Sequence, residues 1–281
     1  MYKITILIPS RNRPIALTRC IRSLMLQKKF IEEVIVSNDS TVKYNNIYAK
    51  IAAKYNFKIL EGPRRGLYAN HNFLYTQGKT THLRIVDDDH TFPKNHFKDC
   101  INAINLDPIC IWSIGEKYPY SENFFYPREI NPRGFSSSVK NFDDNIALAS
   151  GSSIFPRYIF NIKKIFELEE YKFGMIWNEF ALRLNKKGVK IRILKNTYVN
   201  HFYNETDRSY NCKSIDMETK FFMILVYNLI YKKNILNISQ GIYEIIKELI
   251  MFNPNKILYL YRSIKMFLKI KKRGFWNFNK R

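Results

Sequence analysis

Four short apolar runs, Ile4 to Ile8, Glu33 to Val36, Phe57 to Leu60 and His82 to Val86, punctuate the N-terminal part of the chain, and each stops abruptly in polar sequence. Runs this short, rich in β-branched residues and without strict alternation, read as strands buried on both faces, which is the pattern of a parallel sheet. Helical patterns separate them. Pro14 suits a first helical position, Leu17, Ile21, Leu24 and Met25 form an apolar stripe behind it, and Lys28 and Lys29 suit the end. Tyr44, Ile47, Ile51 and Tyr55 line a second helix, and a third runs from Leu67 to Gln77, where Gly78 stops it. Such alternation calls for parallel strands joined by right-handed crossovers, with ligands bound beyond the carboxyl ends of the strands. That rule gathers Pro9 to Asn12, Asn38-Asp39 and Asp87-Asp88-Asp89 along one edge.

The acidic triplet is the most demanding of these clusters. Adjacent like charges repel unless solvent or a cation takes them up. Mg2+ and Mn2+ are held by one or two carboxylates together with substrate phosphates, so the strand end is either a diphosphate-metal site or a solvated turn before the helix beyond Pro93.

That helix carries Phe97, Ile101 and Ile104, and an apolar strand, Ile109 to Ile114, follows it. Residues 115–144 are irregular and aromatic, either a surface excursion or a lid and acceptor-binding wall. A helical stretch is expected from Pro156 to Phe166, another from Trp177 to Leu184 ending at Gly188, and a last strand from Lys190 to Leu194 before Tyr198-Val199-Asn200-His201. Residues 1–210 read as the main domain. Residues 211–281 read as a basic, aromatic region of three helices, broken near Asn234 and at Asn253-Pro254-Asn255. The last helix sets Ile257, Leu258, Tyr261, Ile264 and Leu268 against Lys265, Lys269, Lys271 and Lys272, and either lies in a membrane interface or packs on the main domain with its lysines in water. Phe275 and Trp276 beside these lysines favour the interface.

The chain has a formal net charge of +22 with 46% hydrophobic residues. It is a packed protein whose charge calls for an anionic partner: nucleic acid, an anionic membrane surface or phosphorylated small molecules. An acidic strand end sits badly with phosphate-backbone binding, so no nucleic-acid partner is expected. Cys20, Cys100, Cys110 and Cys212 form no close pair of the zinc-binding kind and read as reduced residues of a cytoplasmic protein. The sequence ahead of the first strand does not read as a signal peptide, and the longest apolar run, Phe221 to Leu229, falls far short of the ~20 residues a spanning helix needs, so neither a leader nor a spanning segment is expected. A nucleotidyltransferase would carry a Gly-rich phosphate loop with Lys or Arg near the N-terminus, and none is present.

The run Ile4-Thr5-Ile6-Leu7-Ile8-Pro9-Ser10-Arg11-Asn12-Arg13, the strand end Val36-Ser37-Asn38-Asp39-Ser40, the helix start Gly66-Leu67-Tyr68-Ala69-Asn70-His71-Asn72 and the Asp87-Asp88-Asp89 triplet, in this order and spacing, resemble a family 2 glycosyltransferase. The resemblance spans about Lys3 to His201. It implies an α/β GT-A fold, a Rossmann-like and mostly parallel sheet flanked by helices, here with a C-terminal helical appendage. It also implies that Pro9 and Arg11 line a nucleotide pocket and that Asp39 reads the base of a nucleoside-diphosphate sugar, UDP being the expected nucleotide. Asp87 and Asp89 would touch the ribose and a diphosphate-bound Mn2+ or Mg2+, with Asp88 between them in the same donor site. His201 matches a family histidine that reaches the metal or diphosphate, unless it is a hydrogen-bonded structural residue.

The chain departs from the family in three places. Asn38-Asp39 stands where an acidic pair is usual. His71 replaces an arginine, so phosphate contact there needs a charged imidazole or passes to Arg64 or Arg65. The catalytic Glu-Asp pair falls near Ile176-Trp177, leaving Glu179 as the expected general base, with Asp143, Asp144 and Glu170 next in line. The implied activity is metal-dependent inverting transfer of a sugar to a hydroxyl of a growing surface polysaccharide, lipopolysaccharide or capsule. The acceptor would be a glycan or lipid-linked glycan met on the inner face of an anionic membrane. The alternatives are a sugar-nucleotide-binding protein without turnover or a basic nucleic-acid- or membrane-binding protein.

Overall fold

The unbroken apolar run of the first strand is explained by helices on both of its faces. In a computed structural model describing residues 2–120, 123–202, 212–250 and 254–277, Ile4, Ile6 and Ile8 share one buried cluster with Leu17, Ile21, Tyr48, Phe97 and Ile104. Leu7 points the other way, into a second cluster with Leu74, Tyr75, Phe155, Phe160 and Phe180. Residues one apart on a strand face opposite sides, so a strand covered twice has no use for a polar position.

The N-terminal elements follow the expected alternation: β1 (Ile4–Ser10), α1 (Pro14–Met25), β2 (Ile31–Asn38), α2 (Asn45–Tyr55), β3 (Lys58–Glu61), α3 (Leu67–Gln77) and β4 (His82–Ile85). Then come β5 (His90–Thr91), α4 (His96–Leu106), β6 (Ile111–Lys117) and three two-residue strands, β7 (Phe124–Phe125), β8 (Glu129–Ile130) and β9 (Ser136–Ser137). They are followed by β10 (Ile154–Pro156), α5 (Tyr158–Asn161), α6 (Trp177–Lys186) and β11 (Ile191–His201). The main sheet runs β3-β2-β1-β4-β10-β6-β11-β5, with β7 beside β6. β1 to β4 are parallel to one another, as are β6 and β11, while β10, β5 and β7 run antiparallel to their neighbours. The fold is α/β with a mostly parallel sheet.

One expected element is replaced. Instead of a helix from Pro156 to Phe166, Ile154 to Pro156 form β10, inserted between β4 and β6, and only Tyr158 to Asn161 are helical. The insertion fills the gap between two strand ladders, and Lys164 at φ +51° turns the chain out of any helix that would follow.

The C-terminal helices α7 (Cys212–Val226), α8 (Ile235–Ile250) and α9 (Pro254–Lys272), with a π-helical turn after α7, complete a third apolar cluster. In it Phe222, Met223, Phe267, Ile270 and Trp276 pack with Tyr68, Tyr171, Ile176 and Leu182. The C-terminal helices therefore pack on α3, α6 and the segment before α6, though α8 and α9 keep exposed apolar residues. No helix among the described residues is long and apolar enough to cross a membrane. Lys220 binds α7 to α8 by reaching Glu244 at 2.8 Å and Glu248 at 2.9 Å, and Glu244 is fully buried. Lys220→Met would strand that carboxylate, which typically costs ~3 kcal/mol. The expected outcome is a lower denaturant midpoint, largely recovered in the Lys220→Met/Glu244→Leu double variant, with chemical denaturation as the measurement.

Candidate active site

The carboxyl ends of the parallel strands are stitched into one edge by backbone hydrogen bonds. The Asp39 N–H donates to the Ser10 carbonyl at 2.9 Å, that of Gly62 to Asn38 at 3.0 Å, and that of Val86 to Leu7 at 2.9 Å. Pro9 lies buried in β1 opposite Ser37, and Arg11 is exposed just beyond the edge. Asp39 is buried and accepts the Arg64 N–H at 2.9 Å. Burial raises its pKa, and the Arg64 N–H and the charges of Arg11 and Arg64 offset this only in part. A Cβ on Gly62 would lie 2.0 Å from the Asp39 carboxylate, so only glycine lets β3 pass this close.

The three aspartates take three different positions. Asp87 is the most open, its side chain 29% exposed, and Gly151, at φ +74°, presses against it so closely that a Cβ would fall 2.2 Å from its Oδ2. Asp88 is a buried brace: the Ser10 hydroxyl donates to it at 2.6 Å and Arg13 pairs with it at 3.0 Å. Burial pushes its pKa up to about 7 against the pull of Arg13. Asp89 is held by Arg13 through Oδ2, while its Oδ1 has no hydrogen-bond partner and faces His201 Nε2 at 3.6 Å. Burial would raise Asp89, but His201, His90 and Arg13 hold it well below the usual carboxylate range.

His201 and His90 stand directly opposite each other in the antiparallel β11–β5 pair. Opposed residues of such a pair project to the same side, and the rings meet edge to face at 4.8 Å between centroids. Glu116 lies 2.9 Å from His201 Nδ1, the arrangement in which a carboxylate fixes the outer nitrogen of a metal-binding imidazole. Burial works against the charged His201, yet Asp89 and Glu116 bring its pKa up to about 10. Both nitrogens of His90 are buried without a hydrogen-bond partner. Asp89, His90 and His201 bring one donor atom each to within 4.8 Å of one another. Buried polar atoms left unpaired are costly, and this oxygen-nitrogen set with its unpaired atoms fits a divalent cation.

The other expected residues lie elsewhere along the site or outside it. His71 is buried with Nδ1 2.9 Å from Glu167, and although burial opposes it this carboxylate raises its pKa. Arg65 is an exposed partner of Glu169 at 3.2 Å, and Arg64 of Glu61 at 2.9 Å. Asp143 pairs with Arg192 near the start of β11, the end opposite His201, so its position corrects its place among the candidate bases. Glu170 is taken by Arg273. Arg13, His90, Glu116 and Gly151 were not expected at the site. His90 directly follows the acidic triplet and Arg13 belongs to the first polar turn, so both were adjacent to a signal. Glu116 is brought in only by the β6–β11 pairing, opposite Val199.

Residues 5–163 match the profile of the family described as Glycosyl transferase family 2. The chain belongs to glycosyl transferase family 2. Its fold is GT-A, shared with solved structures at low identity. The S. aureus TarS 1–349 structure in complex with UDP-GlcNAc aligns with a TM-score of 0.69 and 17% identity, over 95% of this chain and 81% of that one. A structure of GalNAc-T7 with UDP, GalNAc and Mn2+ gives 0.67 and 14%, over 83% and 49%. Against the TarS structure described without residue limits the values are 0.59 and 19%, and the chain spans 41% of its length. No curated protein matches the sequence.

Glu179 lies on α6, whereas Asp39, the aspartate triplet and His201 lie at strand ends of this family 2 fold. It is fully buried, and Arg183 binds it through two nitrogens at 2.9 and 3.0 Å while the Trp276 indole N–H donates to it at 2.9 Å. Phe275 covers the Arg183 guanidinium at 4.4 Å. A general base must come within hydrogen-bond reach of the acceptor hydroxyl, whereas Glu179 in this arrangement has no exposed surface. It acts here as a brace between α6 and the C-terminal segment. Glu179→Gln leaves Arg183 buried without its counter-charge, and the expected outcome is a fall in the unfolding midpoint equivalent to ~3 kcal/mol. Turnover measured where the variant is folded separates the roles, since loss of a base costs ~10²–10⁴-fold and loss of a brace does not.

Proposed function

We propose that the chain is a metal-dependent, inverting glycosyltransferase that moves a sugar from a nucleoside-diphosphate donor, a UDP-sugar in the first instance, to a hydroxyl of a growing surface polysaccharide, lipopolysaccharide or capsule acceptor. The observation that carries this reading is the meeting of Asp39, the aspartate triplet and His201 at the carboxyl edge of one parallel sheet, where such sheets bind ligands. UDP-GlcNAc in the TarS structure and UDP with GalNAc and Mn2+ in the GalNAc-T7 structure support the donor class.

In this reading Asp39 accepts a hydrogen bond from the base, Pro9 and Arg11 flank the nucleotide, and Asp87 receives the ribose. Arg11, Arg64, Arg65 and His71 are the candidate diphosphate contacts. Asp89 and His201 would hold a divalent cation, which when bound would supply Lewis-acid stabilisation of the charge on the departing diphosphate. Asp88 braces Ser10 and Arg13 behind them. Proton removal from the acceptor falls to Glu179 only in an arrangement where Trp276 has withdrawn.

Isothermal titration with UDP and GDP, each with and without Mn2+, tests the donor site. Mn2+-dependent binding of UDP that is lost in Asp89→Ala is expected, and no binding of either nucleotide to the folded protein would overturn the reading.

The acceptor side rests on the C-terminal helices. α8 and α9 expose Tyr243, Ile246, Ile250, Tyr261, Ile264 and Leu268, and Lys265, Lys269 and Lys272 are exposed beside them. Apolar residues among lysines suit the headgroup layer of an anionic bilayer, where each basic residue contributes ~1 kcal/mol, and peripheral binding there would bring the cytoplasmic enzyme to lipid-linked acceptors. Sedimentation with phosphatidylglycerol vesicles at physiological salt should deplete the protein from solution, whereas pure phosphatidylcholine vesicles should not. Glu substitutions at the three lysines should abolish the depletion.

A further inference from the structure

His90 has no work in the donor reading, yet its placement is the most unusual in the site. It is fully buried, neither ring nitrogen has a hydrogen-bond partner, and the carboxylate of Asp87 is 3.9 Å away. A buried polar side chain left unpaired is a standing cost that a partner arriving from outside would remove. Beside Asp87, the donors that share its surroundings are Asp89 Oδ1, which has no hydrogen-bond partner among the described residues, and the imidazole of His201, and Asp89, His90 and His201 bring one donor atom each to within 4.8 Å of one another.

The backbone enforces this proximity. His90 pairs with His201 across β5 and β11, and the Phe202 N–H donates to the Asp89 carbonyl at 3.0 Å, so all three residues are pinned by one short ladder. Glu116 orients His201 from behind.

We propose that His90 is a third protein ligand of the donor-site cation, and that the resulting set of two imidazoles and one carboxylate makes the site selective for transition ions such as Mn2+ and Co2+ over Mg2+. The proposal rests on the donor reading for the cation's position and adds its identity. Mg2+ prefers oxygen ligands, keeps several waters and demands near-ideal octahedral geometry, so two imidazoles serve it poorly. Affinity for nitrogen donors instead rises from Mn2+ through Co2+ to Ni2+, and imidazole is a common ligand for such ions.

The test uses the full chain without nucleotide. Mn2+ binding is followed by the loss of the free-ion paramagnetic resonance signal, and Co2+ binding by its visible absorption band. Mg2+ in large molar excess should fail to release bound Mn2+; release at equal concentrations would overturn the proposal. His90→Ala and the more space-conserving His90→Gln should weaken Mn2+ and Co2+ binding by about 10-fold or more, alter the Co2+ band, and leave Mg2+ affinity unchanged. Unaltered Co2+ affinity in either folded variant would also overturn it, and the Mg2+ competition on the unsubstituted protein decides the matter should both variants misfold. Failure of the donor reading is separately visible. Co2+ bound through His90 without any nucleotide binding would remove the glycosyl-donor assignment and keep the ligand set, whereas nucleotide binding supported equally by Mg2+ and Mn2+ and indifferent to His90 would do the reverse.

Discussion

The candidate site depends on how three consecutive carboxylates are held at the end of one buried strand. Arg13 makes this possible. Its guanidinium pairs with Asp88 and Asp89 together, and the Ser10 hydroxyl donates to Asp88, so residues around the end of β1 offset charge carried just beyond β4. Two neighbouring parallel strands are thereby locked at the level where the ligand edge begins. The division of labour among the aspartates follows from the same contact: Asp88 is spent on structure, Asp87 stays open, and Asp89 keeps one oxygen unpaired. Without that cation behind them the three charges would repel at close range in a poorly solvated place.

The strands were legible because a parallel sheet covered on both faces leaves no room for polar positions, and Ile4 to Ile8 advertises that directly. α3 was legible to the residue because its limits lie beside Gly66 and Gly78. β10 was not, since the three residues Ile154 to Pro156 after a Ser-Gly-Ser-Ser turn carry no periodicity, and only β4 and β6 on either side make them a strand. The site was legible in part for the same reason. Asp39 and the triplet end apolar runs and stand out locally, whereas His90 meets His201 only through pairing across more than a hundred residues of chain. The i,i+4 spacing of Glu179 and Arg183 was itself a sign of a helix ion pair, but its cover, Trp276, is distant in sequence.

The C-terminal region reads differently once its packing is known. Lys220, Arg262 and Arg273 meet Glu244, Glu218 and Glu170. The basic character that remains on α9 sits at Lys265, Lys269, Lys271 and Lys272, beside apolar side chains the fold does not cover. Packing has thus sorted the region into a face that belongs to the core and a face that does not. The aromatic tail goes to the first: Trp276 is 6% exposed and bonded to Glu179, so its affinity for a headgroup layer, inferred from composition, is spent on the protein interior.

The large positive charge and the acidic edge are complementary rather than contradictory. A diphosphate brought beside Asp87, Asp88 and Asp89 would meet like charge, and at a few ångströms in a partly buried site that repulsion is worth several kcal/mol. Arg13 is already committed to the carboxylates, so the edge cannot bind such a ligand by the aspartates' own chemistry. In the proposed reading counter-charge would come from a cation at Asp89, His90 and His201 and from the exposed arginines Arg11, Arg64 and Arg65. The first acts at contact distance and the last from the exposed rim, where screening leaves mostly long-range attraction. A formal net charge of +22 would work in the same direction, raising the local concentration of anionic ligands, while the acidic triplet would keep a bare anion from occupying the edge without a cation beside it.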